Sequence, residues 1–91
     1  MPKPAPDAPV ADAASSVSSL ARMLAVLDLF NEAQLGWTTE AMAERLRVSL
    51  PTAYRYVKVL VDAGLLQRSG DAAYTLGARV IALDHLIRLG D

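Results

Sequence analysis

The feature of this sequence that most constrains its fold is a pair of helical patterns separated by only three residues, 47–49. The pattern before the break begins at Thr38 or Thr39, and the pattern after it starts from Ser49. Two helices joined by so short a turn are typical of a helix-turn-helix motif. We therefore predict a helix-turn-helix from Thr39 to Lys58.

Local signals mark the ends of the second helix of this pair, which we expect over residues 49–63. Ser49 is a suitable N-cap, Pro51 lies in the first turn where its missing N–H costs nothing, and Gly64 ends the helix. Ala43 supplies the small residue needed where the helices cross. Arg47 occupies a turn position that commonly holds a left-handed glycine, and a left-handed arginine there costs about 1 kcal/mol. The apolar positions that the motif needs are filled by Met42, Leu46, Val48, Ala53 and Tyr56 or Val57.

The second helix separates into two faces when it is plotted at about 100° per residue. Ala53, Val57, Leu60 and Gly64 share the face that must turn to the core. The opposite face is centred on Arg55 and includes Pro51, Thr52, Lys58, Val59 and Asp62. Hydroxyl, guanidinium and ammonium groups are those that contact base edges and phosphates in a major groove. A pair of cations is equally typical of a solvated helix face, and it is the surrounding motif that favours DNA binding.

We expect the DNA-contacting side chains to come from the start of the first helix, the turn, the second helix and the hairpin that follows. In this interpretation Arg55 reads a guanine and Lys58 binds a phosphate. Tyr54 has two roles open to it, covering the edge of the core or donating to a phosphate. The candidates are Thr39, Arg47, Ser49, Leu50, Pro51, Thr52, Tyr54, Arg55, Lys58, Arg68 and Ser69.

Two short strand patterns, 65–68 and 73–76, surround a glycine-containing turn and predict a β-hairpin. A hairpin that follows a helix-turn-helix is the wing of a winged helix, with Arg68, Ser69 and Gly70 expected at its tip. Trp37 either supplies a short third strand or packs in the core. The predicted fold class is mainly α with a small β wing: a three-helix core, a hairpin and a C-terminal linker helix.

The two ends of the chain differ from this central unit. Residues 1–18 are rich in proline, alanine and serine, and we expect a disordered leader there. The first helix should start at Ser19 and turn an apolar stripe inward, formed by Leu20, Met23, Leu24, Leu27 and Phe30. The last helix, Ala78 to Leu89, is apolar over more than one face, so it packs either on a second copy of the chain or on the first helix. The residues expected at the dimer contact are Val80, Ile81, Leu83, Leu86 and Ile87.

Composition excludes several classes of function. The 91 residues contain no cysteine and one histidine, so neither a thiolate zinc site nor a nucleophile–histidine–acid triad can be assembled. No phosphate-binding glycine loop is present. We therefore expect no enzyme activity, no cofactor and no metal. No apolar run is long enough to span a membrane, and we expect a cytoplasmic protein.

The net charge of −1 is unevenly distributed. Residues 35–70 carry five basic and three acidic side chains, so the positive excess is confined to the predicted helix-turn-helix and wing. A single domain with this small excess should bind DNA weakly, and two copies should be needed.

Three ordered motifs resemble the N-terminal winged helix-turn-helix domain of IclR-family bacterial transcription regulators. The first has Ser19, Leu20, Arg22, Leu24, Val26 and Leu27. The second runs from Thr52 to Leu60 and continues to Gly64, Leu65 and Leu66. The third has Tyr74, Thr75, Leu76, Gly77, Arg79 and Val80. The chain differs from the family where a Lys-Ser pair usually leads into the recognition helix and Leu50-Pro51 stands instead.

The resemblance implies a repressor or activator that binds a palindromic operator as a dimer or as a dimer of dimers. It also implies a larger C-terminal domain that binds a small-molecule effector, commonly an aromatic or organic acid. We expect that domain to follow Asp91, with residues 78–91 as linker and dimerisation helix. The alternative is a winged-helix module for protein–protein contact, whose exposed face would favour apolar anchors over Arg55 and Lys58.

Overall fold

The computed structural model describes residues 18–90, which form four helices and one three-stranded sheet. In chain order the elements are α1 (residues 18–25, tightening into a 3-10 turn at Val26–Leu29), β1 (Trp37–Thr38), α2 (Thr39–Leu46), α3 (Leu50–Asp62), β2 (Leu66–Arg68), β3 (Ala73–Leu76) and α4 (Ala78–Leu89). The expected leader lies outside the described residues, except that Ser18 is already helical, one residue before the expected start. The fold class expected from the sequence is confirmed.

Side-chain caps begin α2 and α3, and left-handed residues end them, at the positions that the sequence predicts. Thr38 Oγ1 accepts from the Ala41 amide at 3.1 Å, and Ser49 Oγ accepts from the Thr52 amide at 3.3 Å. Gly64 closes α3 with φ 80°. Arg47 ends α2 with φ 59° and ψ 46°, so an arginine adopts the left-handed conformation at the turn position that commonly holds glycine.

The core lies between α2, α3 and the sheet, with Val26 reaching it from α1. Met42, Leu60 and Leu66 are fully buried there. The buried face of α3 consists of Ala53, Tyr56, Val57 and Leu60. The two faces that the helical plot assigned to α3 are therefore confirmed.

The stripe expected on α1 is only partly correct. Met23, Leu27 and Phe30 pack partly buried against the core, but Leu20 and Leu24 are more than half exposed. Val26 is the buried residue instead. The helix meets the core only at its C-terminal end, where the 3-10 turn changes the direction of successive side chains.

The strand order in the sheet is β1-β3-β2, and both pairings are antiparallel. Trp37 pairs with Tyr74 and is also 93% buried, with its indole N–H donating to the Leu29 carbonyl at 3.0 Å. Both roles that the sequence left open for Trp37 are thus fulfilled at once. The indole ties α1 to the wing sheet.

The tip of the wing differs from the prediction. The turn runs from Gly70 to Ala73, and its two left-handed residues are Asp71 (φ 62°) and Ala72 (φ 60°), as a type I′ hairpin requires. Arg68 belongs to β2, below the tip. The glycine-centred tip expected at residues 68–70 is wrong, because the turn is centred further along the chain.

The last helix has the predicted bounds but buries none of its side chains in the described structure. It begins next to Gly77, whose amide donates to the Leu65 carbonyl at 2.8 Å. A Cβ on Gly77 would collide with the Gly64 carbonyl, so only glycine allows this close approach. Arg79 donates to the Ala63 carbonyl at 3.3 Å and links α4 to the end of α3. None of the helices within residues 18–90 is long and apolar enough to cross a membrane.

Candidate nucleic-acid interface

The exposed face of α3 carries a short row of hydrogen-bonded polar groups. Ser49 Oγ donates to Thr52 Oγ1 at 2.9 Å, and an Arg55 guanidinium nitrogen lies 3.5 Å from the same oxygen. Ser49 and Arg55 are exposed, and Thr52 is half-buried. The row directs a guanidinium, a planar group suited to bidentate contact with guanine, outward from the first half of α3.

One turn further along, Lys58 pairs with Asp62 at 3.3 Å. Both side chains are mostly exposed, so the pair contributes little and leaves the ammonium accessible. The sequence interpretation placed both residues on the outward face without pairing them, although an i, i+4 spacing of opposite charges is the signal for such a pair. Lys58 therefore remains able to exchange Asp62 for a phosphate.

A groove between α3 and the wing brings together three of the expected DNA-binding residues, Tyr54, Lys58 and Arg68. The Arg68 guanidinium carbon lies 5.9 Å from the centre of the Tyr74 ring, within the range of a cation–π contact. Tyr74 was not among the predicted site residues, and only the pairing of β2 with β3 places it opposite Arg68. The wing thus holds its cation beside the exposed face of α3.

Of the two roles open to Tyr54, exposure favours the outward one. Its side chain is 48% exposed, and its hydroxyl lies 3.5 Å from Glu40 Oε2, at the limit of a hydrogen bond. Such a hydroxyl is free to exchange the carboxylate for another acceptor. Glu40, in the first turn of α2, is therefore a neighbour of the predicted contact residues that the sequence did not identify, as Tyr74 is.

Apolar surface is exposed at the start of α3. Leu50, the first residue of the helix, is 39% exposed, and Pro51 after it is also exposed. Both were predicted as contact residues. They stand beside the polar row formed by Ser49, Thr52 and Arg55.

The structure does not support every predicted contact. Thr39 is 98% buried, because Thr38 is the residue that caps α2 and the next side chain turns to the core. The assignment of Thr39 to DNA contact is therefore wrong.

The Ser69 hydroxyl is half-buried and donates to the Ala73 carbonyl at 3.3 Å within the wing turn. Arg47 is exposed but lines a separate cleft with Trp37, Ala41, Glu44 and Arg45.

The five residues predicted for dimer contact all lie on α4. Val80 is half-buried, and the other four are between 42% and 73% exposed: Leu83, Leu86, Ile87 and Ile81, in rising order. Leu20 and Leu24 of α1 are exposed apolar residues as well. The described chain therefore presents apolar surface on two helices outside the core.

Comparison with known proteins identifies related structures. The family model described as the IclR helix-turn-helix domain matches residues 19–70, more than half of the chain. A comparison with curated proteins finds no match.

Three solved structures illustrate the likeness. A transcriptional regulator of the IclR family from a Rhodococcus species is 25% identical, with a TM-score of 0.73 over 94% of this chain and 32% of its own. An IclR-family transcriptional regulator from Brucella abortus is 26% identical, with a TM-score of 0.68 over 76% and 26%. An IclR homologue from Microbacterium hydrocarbonoxydans, complexed with 4-hydroxybenzoate, is 34% identical, with a TM-score of 0.66 over 71% and 27%. This chain spans about a quarter to a third of the length of these structures.

Proposed function

Because the chain belongs to the IclR helix-turn-helix family of DNA-binding transcription regulators, we propose that it binds operator DNA by inserting the exposed face of α3 into the major groove. The observation that carries this proposal is the division of α3. One face, with Ala53, Val57 and Leu60, is buried, and the other offers Arg55 and Lys58 to solvent.

Each exposed group has a distinct role in this proposal. The Arg55 fork reads a guanine, held in direction by Thr52. Lys58 and Tyr54 bind phosphates, and Arg68 adds a further cation from the wing. The exposed Asp71 at the tip of the wing opposes a close approach to phosphates, so Arg68 in β2 is the main contribution of the wing.

We further propose that two copies bind a palindromic operator, with α4 as the contact between them. The exposed apolar side chains of α4, led by Ile81, Leu86 and Ile87, support this role because an extended patch of exposed apolar surface usually marks an interface. A dimer doubles the phosphate contacts of a domain whose positive excess is small.

For the longer protein to which such a domain belongs, we propose a regulatory role. It represses or activates transcription in the bacterial cytoplasm under the control of a small molecule. The Microbacterium homologue was crystallised with 4-hydroxybenzoate, which supports an aromatic acid as the effector class. In this proposal the described residues bind DNA, and the effector acts elsewhere in the regulator.

The experiment is selection of bound sites from random duplex DNA, followed by titration of the selected duplex at two salt concentrations. Affinity should fall steeply between about 50 and 200 mM salt, because phosphate contacts release counterions. The selected sites should contain two inverted half-sites. Failure to bind any duplex at low salt would contradict the proposed function. Selection of a single site without an inverted repeat would contradict the proposed dimer.

A further inference from the structure

The start of α3 is the most apolar part of the surface proposed to face DNA. Leu50 and Pro51, here called the apolar tip, are exposed next to Ser49, and neither side chain can form a hydrogen bond. Polar or charged side chains would serve phosphate contacts at this position. The apolar tip must therefore meet something other than phosphate, or remain in water.

The backbone at the start of α3 is also poorly suited to phosphate. The first amides of a helix normally form an anion-binding site. Here Pro51 has no N–H, the Thr52 amide donates to Ser49 Oγ, and the Ala53 amide donates to the Ser49 carbonyl at 3.0 Å. A helix start leaves four amides unpaired, here those of residues 49–52, and two of these four offer no free donor; the Ala53 bond is the first regular bond of the helix.

Base edges in the major groove present one apolar group, the C5 methyl of thymine. We propose that the apolar tip contacts a thymine methyl and makes this chain specific for thymine at one position of each half-site. This inference rests on the proposed insertion of α3 into the major groove. It assigns Leu50 and Pro51 to base readout and leaves phosphate contact to Lys58 and Arg68.

The geometry of α3 also places this thymine. Pro51 precedes Arg55 by four residues, which is about one turn and about 6 Å along the helix axis. Since successive base pairs are about 3.4 Å apart, the thymine lies within about two base pairs of the guanine that Arg55 reads. The order of the two bases along the strand follows from the direction of α3 in the groove.

The test replaces each thymine of a selected operator with uracil, one position at a time. Uracil pairs as thymine does and lacks only the methyl group. We expect uracil at one position per half-site to lower affinity about fourfold, because the favourable burial of one methyl-sized group is lost. At the same position, 5-methylcytosine should bind more tightly than cytosine, because it carries a methyl group at the same place in the groove.

Variants assign the effect to the apolar tip. In the double variant Leu50→Ala and Pro51→Ala, thymine and uracil duplexes should bind equally. Leu35→Ala is the matched control, because Leu35 is an exposed leucine (69%) that lies in the loop before β1, outside the surface proposed to face DNA. That variant should keep the full uracil effect. Thermal unfolding of each variant establishes that it is folded.

The outcomes separate the two proposals. Tight, salt-dependent binding with no uracil effect at any thymine would overturn the thymine contact and leave the proposed function intact. A uracil effect that persists undiminished in the double variant would also overturn it, since another group would then read the methyl. Absence of binding to all duplexes at low salt would overturn both.

Discussion

The helices α3 and α4 are of nearly equal length, yet their surfaces differ completely. In α3 four residues are buried on one face, and the cations occupy the other. In α4 no residue is buried by the rest of residues 18–90, and apolar side chains cover more than one face. The difference shows that apolar content alone does not place a helix in a core, because a core needs the apolar side chains on one face and a partner to cover them.

The largest expected difference between the two helices comes from the same substitution made in each. Leu60→Ala should lower the free energy of unfolding by about 2–5 kcal/mol, because Leu60 is 1% exposed and its truncation leaves a cavity. Leu86→Ala should change it by less than about 0.5 kcal/mol at low protein concentration, because Leu86 is 62% exposed. Urea unfolding measures both. A large loss in the Leu86 variant of the monomer would show that α4 packs onto the rest of the chain.

Replacing Arg55 should have the next largest effect, on DNA affinity alone. Arg55→Ala should weaken binding to the selected operator by about 1–3 kcal/mol and relax the preference at one guanine. Within residues 18–90 its exposed side chain makes one long hydrogen bond, to Thr52, so unfolding should be almost unchanged. Electrophoretic or fluorescence titration against operators altered at each guanine provides the measurement. Unchanged affinity and unchanged preference would remove Arg55 from base readout.

The exposed apolar surface of α4 gives a third test, on association. Leu86→Asp should raise the dissociation constant of the dimer at least about tenfold, because a charge would replace an apolar contact. Sedimentation of the chain over a range of concentrations measures it. Glu32, on the exposed turn after α1, offers the control variant Glu32→Ala, which should leave association unchanged. A chain that stays monomeric at all concentrations, before any substitution, would contradict the role of α4.

The smallest effects compare two matched ion pairs, Lys58–Asp62 on α3 and Arg88–Asp84 on α4. Lys58→Ala and Arg88→Ala should each change stability by less than about 0.5 kcal/mol, as expected for exposed i, i+4 pairs. Only Lys58→Ala should weaken DNA binding, equally for all sequences, with a salt slope smaller by about 1. Equal losses in the two variants would mean that general charge, and not a phosphate contact, determines affinity.

Expectations that depend on interactions between residues close together in the chain were mostly correct, and the wrong ones depended on finer detail or on distant partners. The ends of α3 were predictable because Ser49, Pro51 and Gly64 act on neighbouring backbone groups, and the bounds of α4 followed from its apolar pattern. Thr39 was misassigned because Thr38 and Thr39 are both suitable caps. A shift of one residue rotates a helical side chain by about 100°, from the surface to the core.

The site shows the same limit. The outward position of Arg55 and Lys58 followed from helical periodicity alone. The contact of Arg68 with Tyr74 and the groove that joins the wing to α3 required the strand pairing and the packing of the hairpin. The wing tip was misplaced because a glycine is the usual signal for a left-handed turn, and here Asp71 and Ala72 adopt that conformation.

The sequence by itself determined the order of the elements, the ends of α3 and α4 and the two faces of α3, because caps, glycines and periodicity act within a few residues. Only the tertiary structure decided that Leu20 and Leu24 stay exposed while Val26 is buried, that Trp37 joins α1 to the sheet, and that α4 leaves the core after Gly77. Those outcomes depend on partners far away in the chain. Burial of a side chain is settled by what packs against it, and a local pattern contains only half of that contact.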